Sequence, residues 1–188
     1  MKPARLAYSR LRTKQLDLVS NVMARPLWTP RPRKAKPLWR KANAPRYFRH
    51  YWDNETWEAN GNAQRTLNAI YGNQFFRRSV AIGDIVYVVT VRNGILFLGG
   101  RLEVGTRTRH DQPILADWAQ EIRAKPNTAT AFNATREVPR ELAERLIILS
   151  SRGPVTLEFD EYGLNHQKMR TMRELSTGSA AELDRLID

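Results

Sequence analysis

The 188-residue sequence contains no cysteine, which excludes disulfides, thiolate zinc sites, iron–sulfur clusters and cysteine nucleophiles. It also lacks any apolar run approaching the roughly 18 to 20 residues of a membrane helix, and its beginning lacks the apolar stretch of a secretory signal. We therefore expect a soluble, cytoplasmic protein with no membrane partner. An Arg-rich transit peptide is the alternative, but such leaders are serine-rich, and only Ser9 and Ser20 occur in this one.

Common catalytic motifs are also missing. The chain has no phosphate-binding glycine loop, dinucleotide-binding turn, nucleophile elbow or zinc-protease helix. Its three histidines, His50, His110 and His166, lie about sixty residues apart, which is not the spacing of paired metal ligands. The short acidic groups Asp160-Glu161 and Asp53-x-Glu55 lack the lysine that follows such acids in common nuclease cores. We predict no cofactor, no metal and no catalytic site.

Acidic residues are nearly absent from the first 46 positions, which hold thirteen Lys and Arg and the single acid Asp17. Residues 47–188 carry eighteen basic and eighteen acidic residues, so the first segment accounts for the whole net charge of +12. Six of the ten prolines also lie there, and proline breaks helices and central strands. The sequence predicts an extended basic arm over 1–46 and an electrically neutral domain over 47–188.

A basic arm of this kind suits a polyanion, because each neutralised phosphate releases counterions and makes the affinity depend on salt. Two alternatives stay open: the arm is a solvated tail, or it is sequence upstream of a start at Met23. The phosphate-binding candidates are the basic residues in and just after its proline-rich run, Arg31, Arg33, Lys34, Lys36, Arg40 and Lys41.

From residue 47 onwards, runs of aromatic and β-branched residues predict an α+β domain with a largely antiparallel sheet. The strongest signal is a hairpin, because two β-rich runs over 84–91 and 95–104 meet at Asn93-Gly94. Gly99-Gly100 indicate a bulge or a close approach in its second strand. The remaining patterns predict strands over 47–52 and 155–159, a loop over 53–56, and helices over 63–71, 113–124 and 139–149, with a last helix capped by Ser179 and Glu182.

The main concentration of unusual side chains follows the first predicted strand. Trp52, Asp53, Asn54 and Trp57 lie at a strand–loop junction, where side chains can turn towards a ligand. Indole rings can sandwich a planar base while Asn and Asp contact its hydrogen-bonding edge. The alternative is that both tryptophans seal the end of a β-barrel.

These residues resemble the EVE domain of the PUA-like superfamily, whose relatives include YTH, ASCH and PUA modules. The resemblance rests on the order of four segments, 51–57, a short helix, Val80–Tyr87 with its Gly83-Asp84 turn, and Gly99–Val104, and it covers residues 47–159. Residues 168–187 are similar to extensions of some members. It implies a mixed, largely antiparallel β-barrel flanked by short helices.

The resemblance implies a reader that holds a flipped base, modified or unmodified, in an aromatic pocket. Trp52, Asn54 and Trp57 match the loop after the family's first strand, Asp53 lies among them, and Trp118 is either a further pocket residue or core. Bacterial EVE modules can be fused to nucleases, so a separate nuclease subunit is an implied partner. This chain lacks the histidine–metal cluster of such nucleases, and we expect no cleavage by it alone.

The sequence thus predicts a non-enzymatic reader of DNA or RNA, with base recognition in the domain and phosphate contacts in the arm. Two other functions stay open. One is a small metal-dependent nuclease or RNA-modifying enzyme that uses Asp160, Glu161 or Asp53 with Mg²⁺. The other is an RNA-associated structural or adaptor protein whose barrel is only a platform.

Overall fold

An eight-stranded mixed sheet forms the centre of the protein in a computed structural model that describes residues 44–63, 65–111 and 119–188. The strand order is β2-β5-β4-β3-β1-β10-β6-β7, in which β1 and β3 are parallel and every other neighbouring pair is antiparallel. The strands are β1 Tyr47–Tyr51, β2 Ala69–Gly72, β3 Ile85–Arg92, β4 Ile95–Arg109, β5 Gln120–Ala124, β6 Ile147–Ser150, β7 Gly153–Thr156 and β10 Arg173–Leu175.

The other elements are short. A separate two-stranded hairpin joins β8 Phe159–Asp160 to β9 Gly163–Leu164. The helices are α1 Asn54–Asn62, α2 Arg140–Ala143 and α3 Thr177–Ile187, with a 3₁₀ turn at His166–Met169. Among the described residues, no helix is both long and apolar enough to cross a membrane. The predicted α+β class with a mostly antiparallel sheet is confirmed, and closure into a barrel stays a prediction.

The predicted hairpin is confirmed as β3 and β4, which pair from Ile85↔Glu103 to Arg92↔Ile95. Asn93 and Gly94 have φ values of 49° and 75°, the two positive angles that a type I′ turn requires. The ladder shifts register between Val88 and Val89, opposite Gly99-Gly100, so the bulge predicted from these glycines is also present.

Apolar side chains cover both faces of the sheet, because alternate residues of β3 enter different cores. Val86 and Val88 pack with the tryptophans of the β1–α1 segment, whereas Tyr87, Val89 and Val91 pack towards α2 and α3. Burial on both sides explains why β3 is almost continuously apolar.

Two helix predictions near β2 and β5 are wrong. Residues 69–72 and 120–124 form strands that pair with each other, and their buried Ile70 and Ile122 are direct neighbours. Their spacing also suits one face of a helix, and only the distant pairing distinguishes the two structures. Residues 112–118, including Trp118, lie outside the described part of the chain.

Other boundaries also differ from prediction. The expected loop over 53–56 begins α1, because the Asp53 side chain accepts a hydrogen bond from the Thr56 amide at 2.8 Å and caps the helix. The expected helix over 139–149 is limited to α2, since Ile147–Ser150 join the sheet, and the expected strand over 155–159 divides between β7 and β8. Ser176 caps α3 in place of Ser179, whose hydroxyl accepts a hydrogen bond from the Ile147 amide at 2.7 Å.

Candidate nucleic-acid interface

The two predicted pocket tryptophans lie together around Phe132. Trp52 directly follows β1, and its ring centroid is 5.5 Å from that of Phe132. Trp57 lies on the inner face of α1, with an edge-to-face contact to Phe132 at 4.8 Å and a hydrogen bond from its indole Nε1 to the Ala134 carbonyl at 3.1 Å. The three rings are one tightly packed aromatic cluster.

Burial places this aromatic cluster in the core. Trp52 is 5% exposed and Trp57 is 0% exposed, and both pack with Val86 and Val88 on one face of the sheet. The alternative that they seal the end of a barrel stays a prediction. Asp53 and Asn54 are exposed, and Asp53 is the N-cap of α1. Their contact with a base stays a prediction.

Two polar atoms in this region have no hydrogen-bond partner within the described residues. They are Nε2 of His50 on β1 and Nε1 of Trp52, which lies two residues later, just after the strand; both residues are buried. Burial lowers the pKa of His50 to about 4, so the ring is neutral at pH 7. Buried polar groups are normally satisfied, and such orphans indicate where a water or ligand can bind.

A second feature is a group of arginines that converge from three segments, which we call the arginine surface. Arg49 on β1 is directly opposite Arg173 on β10 and is buried, with 4% of its surface exposed. Arg77 and Arg78 lie on the 74–79 turn, and Arg170 precedes β10. Within the described part of the chain, none of the five forms an ion pair with a carboxylate. Like charges placed opposite each other in a sheet repel.

The charges are close enough to affect one another. Burial, and secondly the charge of Arg173, lower the pKa of Arg49 to about 10. The pKa of Arg78 is also lowered, first by desolvation and then by Arg173 and Arg77. A pKa of about 10 leaves Arg49 cationic at pH 7, and an anion bound near Arg173 and Arg78 would relieve the repulsion among these charges.

The backbone around the arginine surface is well anchored. The Gln74 side chain donates to the Arg170 carbonyl at 3.3 Å and accepts from the Met172 amide at 2.9 Å, which joins the turn to β10. Arg49 donates to the Met169 carbonyl at 2.8 Å. A firm support of this kind keeps the guanidinium groups near one another without carboxylate partners.

Arg46, at the predicted end of the arm, anchors the same turn from its other side. It forms an ion pair with Asp84 at 2.7 Å and donates to the Ser79 carbonyl. The six predicted phosphate-binding residues, Arg31, Arg33, Lys34, Lys36, Arg40 and Lys41, lie outside the described residues, and the arm boundary stays a prediction.

Sequence reasoning missed the arginine surface because the domain was judged by its total charge. Arg77-Arg78 and Arg170-x-x-Arg173 were visible as local basic pairs. Their convergence with Arg49 depends on the β1–β10 pairing, which joins residues more than a hundred positions apart.

Asp160 and Asp53, from the two short acidic groups, each accept a hydrogen bond from a nearby backbone amide. Asp160 accepts a hydrogen bond from the Tyr162 amide at 2.9 Å in the β8–β9 turn, and Asp53 caps α1. No group of three or more His, Asp or Glu side chains that could hold a metal occurs in the described ranges.

No family model matches the sequence, and no curated protein matches it. Among solved structures, the chain is similar to the YTH domain of the Zygosaccharomyces rouxii MRB1 protein, crystallised in complex with N6-methyladenosine RNA. The two share 12% identity with a TM-score of 0.44, over 81% of this chain and 93% of that one. Membership of the EVE family stays a prediction.

Proposed function

We propose that this protein is a non-enzymatic, cytoplasmic nucleic-acid-binding protein whose arginine surface contacts the phosphate backbone. The observation that carries this proposal is that Arg77, Arg78 and Arg173 lie close together, next to the buried Arg49 and without carboxylate partners in the described residues. Guanidinium groups bind phosphate oxygens in a planar, two-pronged geometry, which makes arginine suited to a nucleic-acid backbone. The basic arm adds phosphate contacts of its own and raises affinity through a second attachment on the same chain.

The finer part of the proposal is base recognition in a PUA-like, EVE-type barrel. Trp52, Asn54 and Trp57, with Asp53 and Trp118, remain the proposed pocket residues. The unpartnered Nε1 of Trp52 supports a polar ligand at this position, since a base carbonyl or ring nitrogen can accept from it. Because Trp52 and Trp57 are buried, a base would have to displace part of their covering before it could stack on them. A separate nuclease subunit is the partner through which recognition would lead to cleavage.

The phosphate contacts are tested by titrating fluorescent DNA and RNA oligonucleotides with the full chain at several salt concentrations. Removing two phosphate contacts with the double variant Arg77→Ala, Arg78→Ala should reduce the slope of log affinity against log salt by about 1.4 for single strands or about 1.8 for duplex DNA. The matched control is Arg152→Ala, an exposed arginine in the β6–β7 turn, which should leave the slope unchanged. Equal slopes for the double variant and the control would overturn the proposal.

Base recognition needs a separate comparison. Trp52→Phe keeps an aromatic ring in the core but removes Nε1, so it should weaken discrimination between modified and unmodified bases while leaving the salt slope intact. A protein that binds every oligonucleotide equally, before and after this change, is not a base reader and would fit a structural RNA-associated role.

A further inference from the structure

A cleft lies where the tips of two hairpins meet the start of α2. Its volume is about 270 Å³, and none of its lining residues belongs to the arginine surface or the tryptophan cluster. The lining residues include the buried aliphatic side chains of Leu96, Val138 and Ala143. They also include the larger side chains of Arg140, Phe159 and Tyr162. The cleft is therefore lined by buried aliphatic side chains together with two aromatic rings and a guanidinium group.

The hairpin that carries Tyr162 is held firmly against the β3–β4 turn. The Leu164 amide donates to the Gly94 carbonyl at 2.8 Å, and a Cβ on Gly163 would lie 2.7 Å from Gly94 Cα. Gly94 and Gly163 have positive φ values of 75° and 99°, so glycine is required at this contact for both space and conformation. The Asp160 side chain closes the tip through the Tyr162 amide at 2.9 Å.

This support presents Tyr162 to solvent with 82% of its surface exposed. An isolated exposed tyrosine is ordinary, but this ring borders a cleft that contains a second aromatic ring and a guanidinium plane. The Arg140 guanidinium lies 5.2 Å from the Phe159 ring centroid, and its Nε donates to Glu144 at 2.8 Å. These contacts hold the guanidinium in position, so its other face can stack on a planar group.

The charges around the cleft do not favour an anion. Arg140 is paired with Glu144, and Glu161 adds a carboxylate to the lining. A neutral ring with N–H donors suits this setting better than a phosphate, because Glu161 can accept from a ring or exocyclic N–H and the Asn93 amide can both donate and accept. The volume lies below the roughly 300 to 1,000 Å³ of pockets for drug-sized ligands, so it suits one ring system.

We propose that this cleft binds a single unpaired nucleobase, with Tyr162 and Arg140 as stacking surfaces and Glu161 and Asn93 as hydrogen-bonding groups at its edge. The proposal rests on the proposed function and adds a base contact that is separate from the phosphate contacts. Base stacking of this kind tolerates different sequences and favours single strands or loops over intact duplexes.

The test uses free nucleosides, which carry no phosphate and so are independent of the arginine surface. The isotope-labelled full chain is titrated with adenosine, guanosine, cytidine and uridine while the methyl resonances of Leu96, Val138 and Ala143 are followed. At least one nucleoside should give saturable shifts at these methyls, with an affinity that does not depend on salt. No shift at these methyls with any nucleoside at millimolar concentration would overturn the cleft proposal.

Variants of Tyr162 test whether its ring stacks on the nucleoside, and a variant outside the cleft serves as the control. Tyr162→Ala should weaken nucleoside binding about 5- to 150-fold, the loss of one stacking contact, whereas Tyr162→Phe should bind like the unchanged protein. Val155→Ala, an exposed position on β7 outside the cleft, is the control and should change nothing. A Tyr162→Phe variant as weak as Tyr162→Ala would refute stacking at this site.

The two proposals fail in different ways. If the arginine double variant shows the expected reduction in salt slope and nucleosides leave the cleft methyls unmoved, phosphate binding stands and the cleft proposal falls. If nucleosides bind as expected but oligonucleotides bind without dependence on Arg77 and Arg78, the cleft proposal stands and the arginine surface is wrong.

Discussion

Gly99 of β4 should be replaceable by alanine only at a cost, because the aromatic cluster occupies the space that a Cβ needs. A Cβ at Gly99 would lie 2.9 Å from Phe132 Cδ2, closer still to its Cε2, and 3.0 Å from Trp57 Cη2. Gly99 has no positive φ, so the expected cost is steric alone. The Phe132 ring cannot withdraw easily, since the Asn133 amide donates to the Gly99 carbonyl at 2.8 Å and the Thr130 amide to the Arg101 carbonyl at 3.0 Å.

Overpacking of this kind costs about 1 to 3 kcal/mol in the free energy of unfolding. For a chain of this size, that corresponds to a fall in Tm of about 2 to 12 °C, measured by circular dichroism or calorimetry. The control is Gly178→Ala, near the start of α3, where the nearest atom lies 4.0 Å from the added Cβ and stability should stay equal or rise slightly.

A double-mutant cycle identifies the cause. Phe132→Leu removes the ring edge that meets the new methyl group, so it should cost less in the Gly99→Ala background than in the unchanged protein. Additive losses, or a Gly99→Ala variant that melts within 1 °C of the unchanged protein, would refute the packing of Gly99 against Phe132 and Trp57.

Two further predictions concern β1 and the start of α1. Asp53→Ala should lower the free energy of unfolding in urea by about 0.5 to 2 kcal/mol, because it removes the cap of α1. Asp53→Asn keeps a capping oxygen and should keep most of this stability. Equal losses in the two variants would show that the charge of Asp53, and not its cap, stabilises the protein. His50 should make stability pH-dependent, because burial lowers its pKa from 6.5 to about 4, so the unfolded chain binds more protons between these values. Stability should fall as the pH drops from about 6.5 to about 4, by on the order of 3 kcal/mol, and His50→Phe should remove most of this dependence; an unchanged pH profile in that variant would contradict it.

Local patterns in the sequence were the reliable ones. The β3–β4 hairpin follows from Asn93-Gly94 between two β-rich runs, and Gly99-Gly100 correctly indicated both a bulge and a close approach. Asp53 caps α1 by accepting a hydrogen bond from Thr56, three residues later, which is also a local feature. Asp53 was predicted to lie in a loop, and this cap was not predicted from the sequence. Such features depend on neighbouring residues and can be predicted without the rest of the fold.

Distant pairing decided the elements that were predicted wrongly. Ile70 and Ile122 lie in segments whose apolar spacing suits a helix, and they became strands because β2 and β5 satisfy each other's backbone hydrogen bonds. The same applies to Ile147–Ser150, which lie between β7 and β10 in the sheet. Periodicity in a short apolar segment cannot distinguish these outcomes.

The sequence by itself determined the absence of cysteine chemistry, the neutral charge of residues 47–188 and the type I′ hairpin, since each is a property of composition or of adjacent residues. Only the tertiary structure decided where the charges and rings lie. It placed Arg49 opposite Arg173, buried Trp52 and Trp57 around Phe132, and brought Tyr162 to the edge of a cleft. The physical reason is that a net charge or a number of aromatic residues does not say where those side chains lie. Strand register and the alternation of side chains along a strand assign each residue to one face of the sheet.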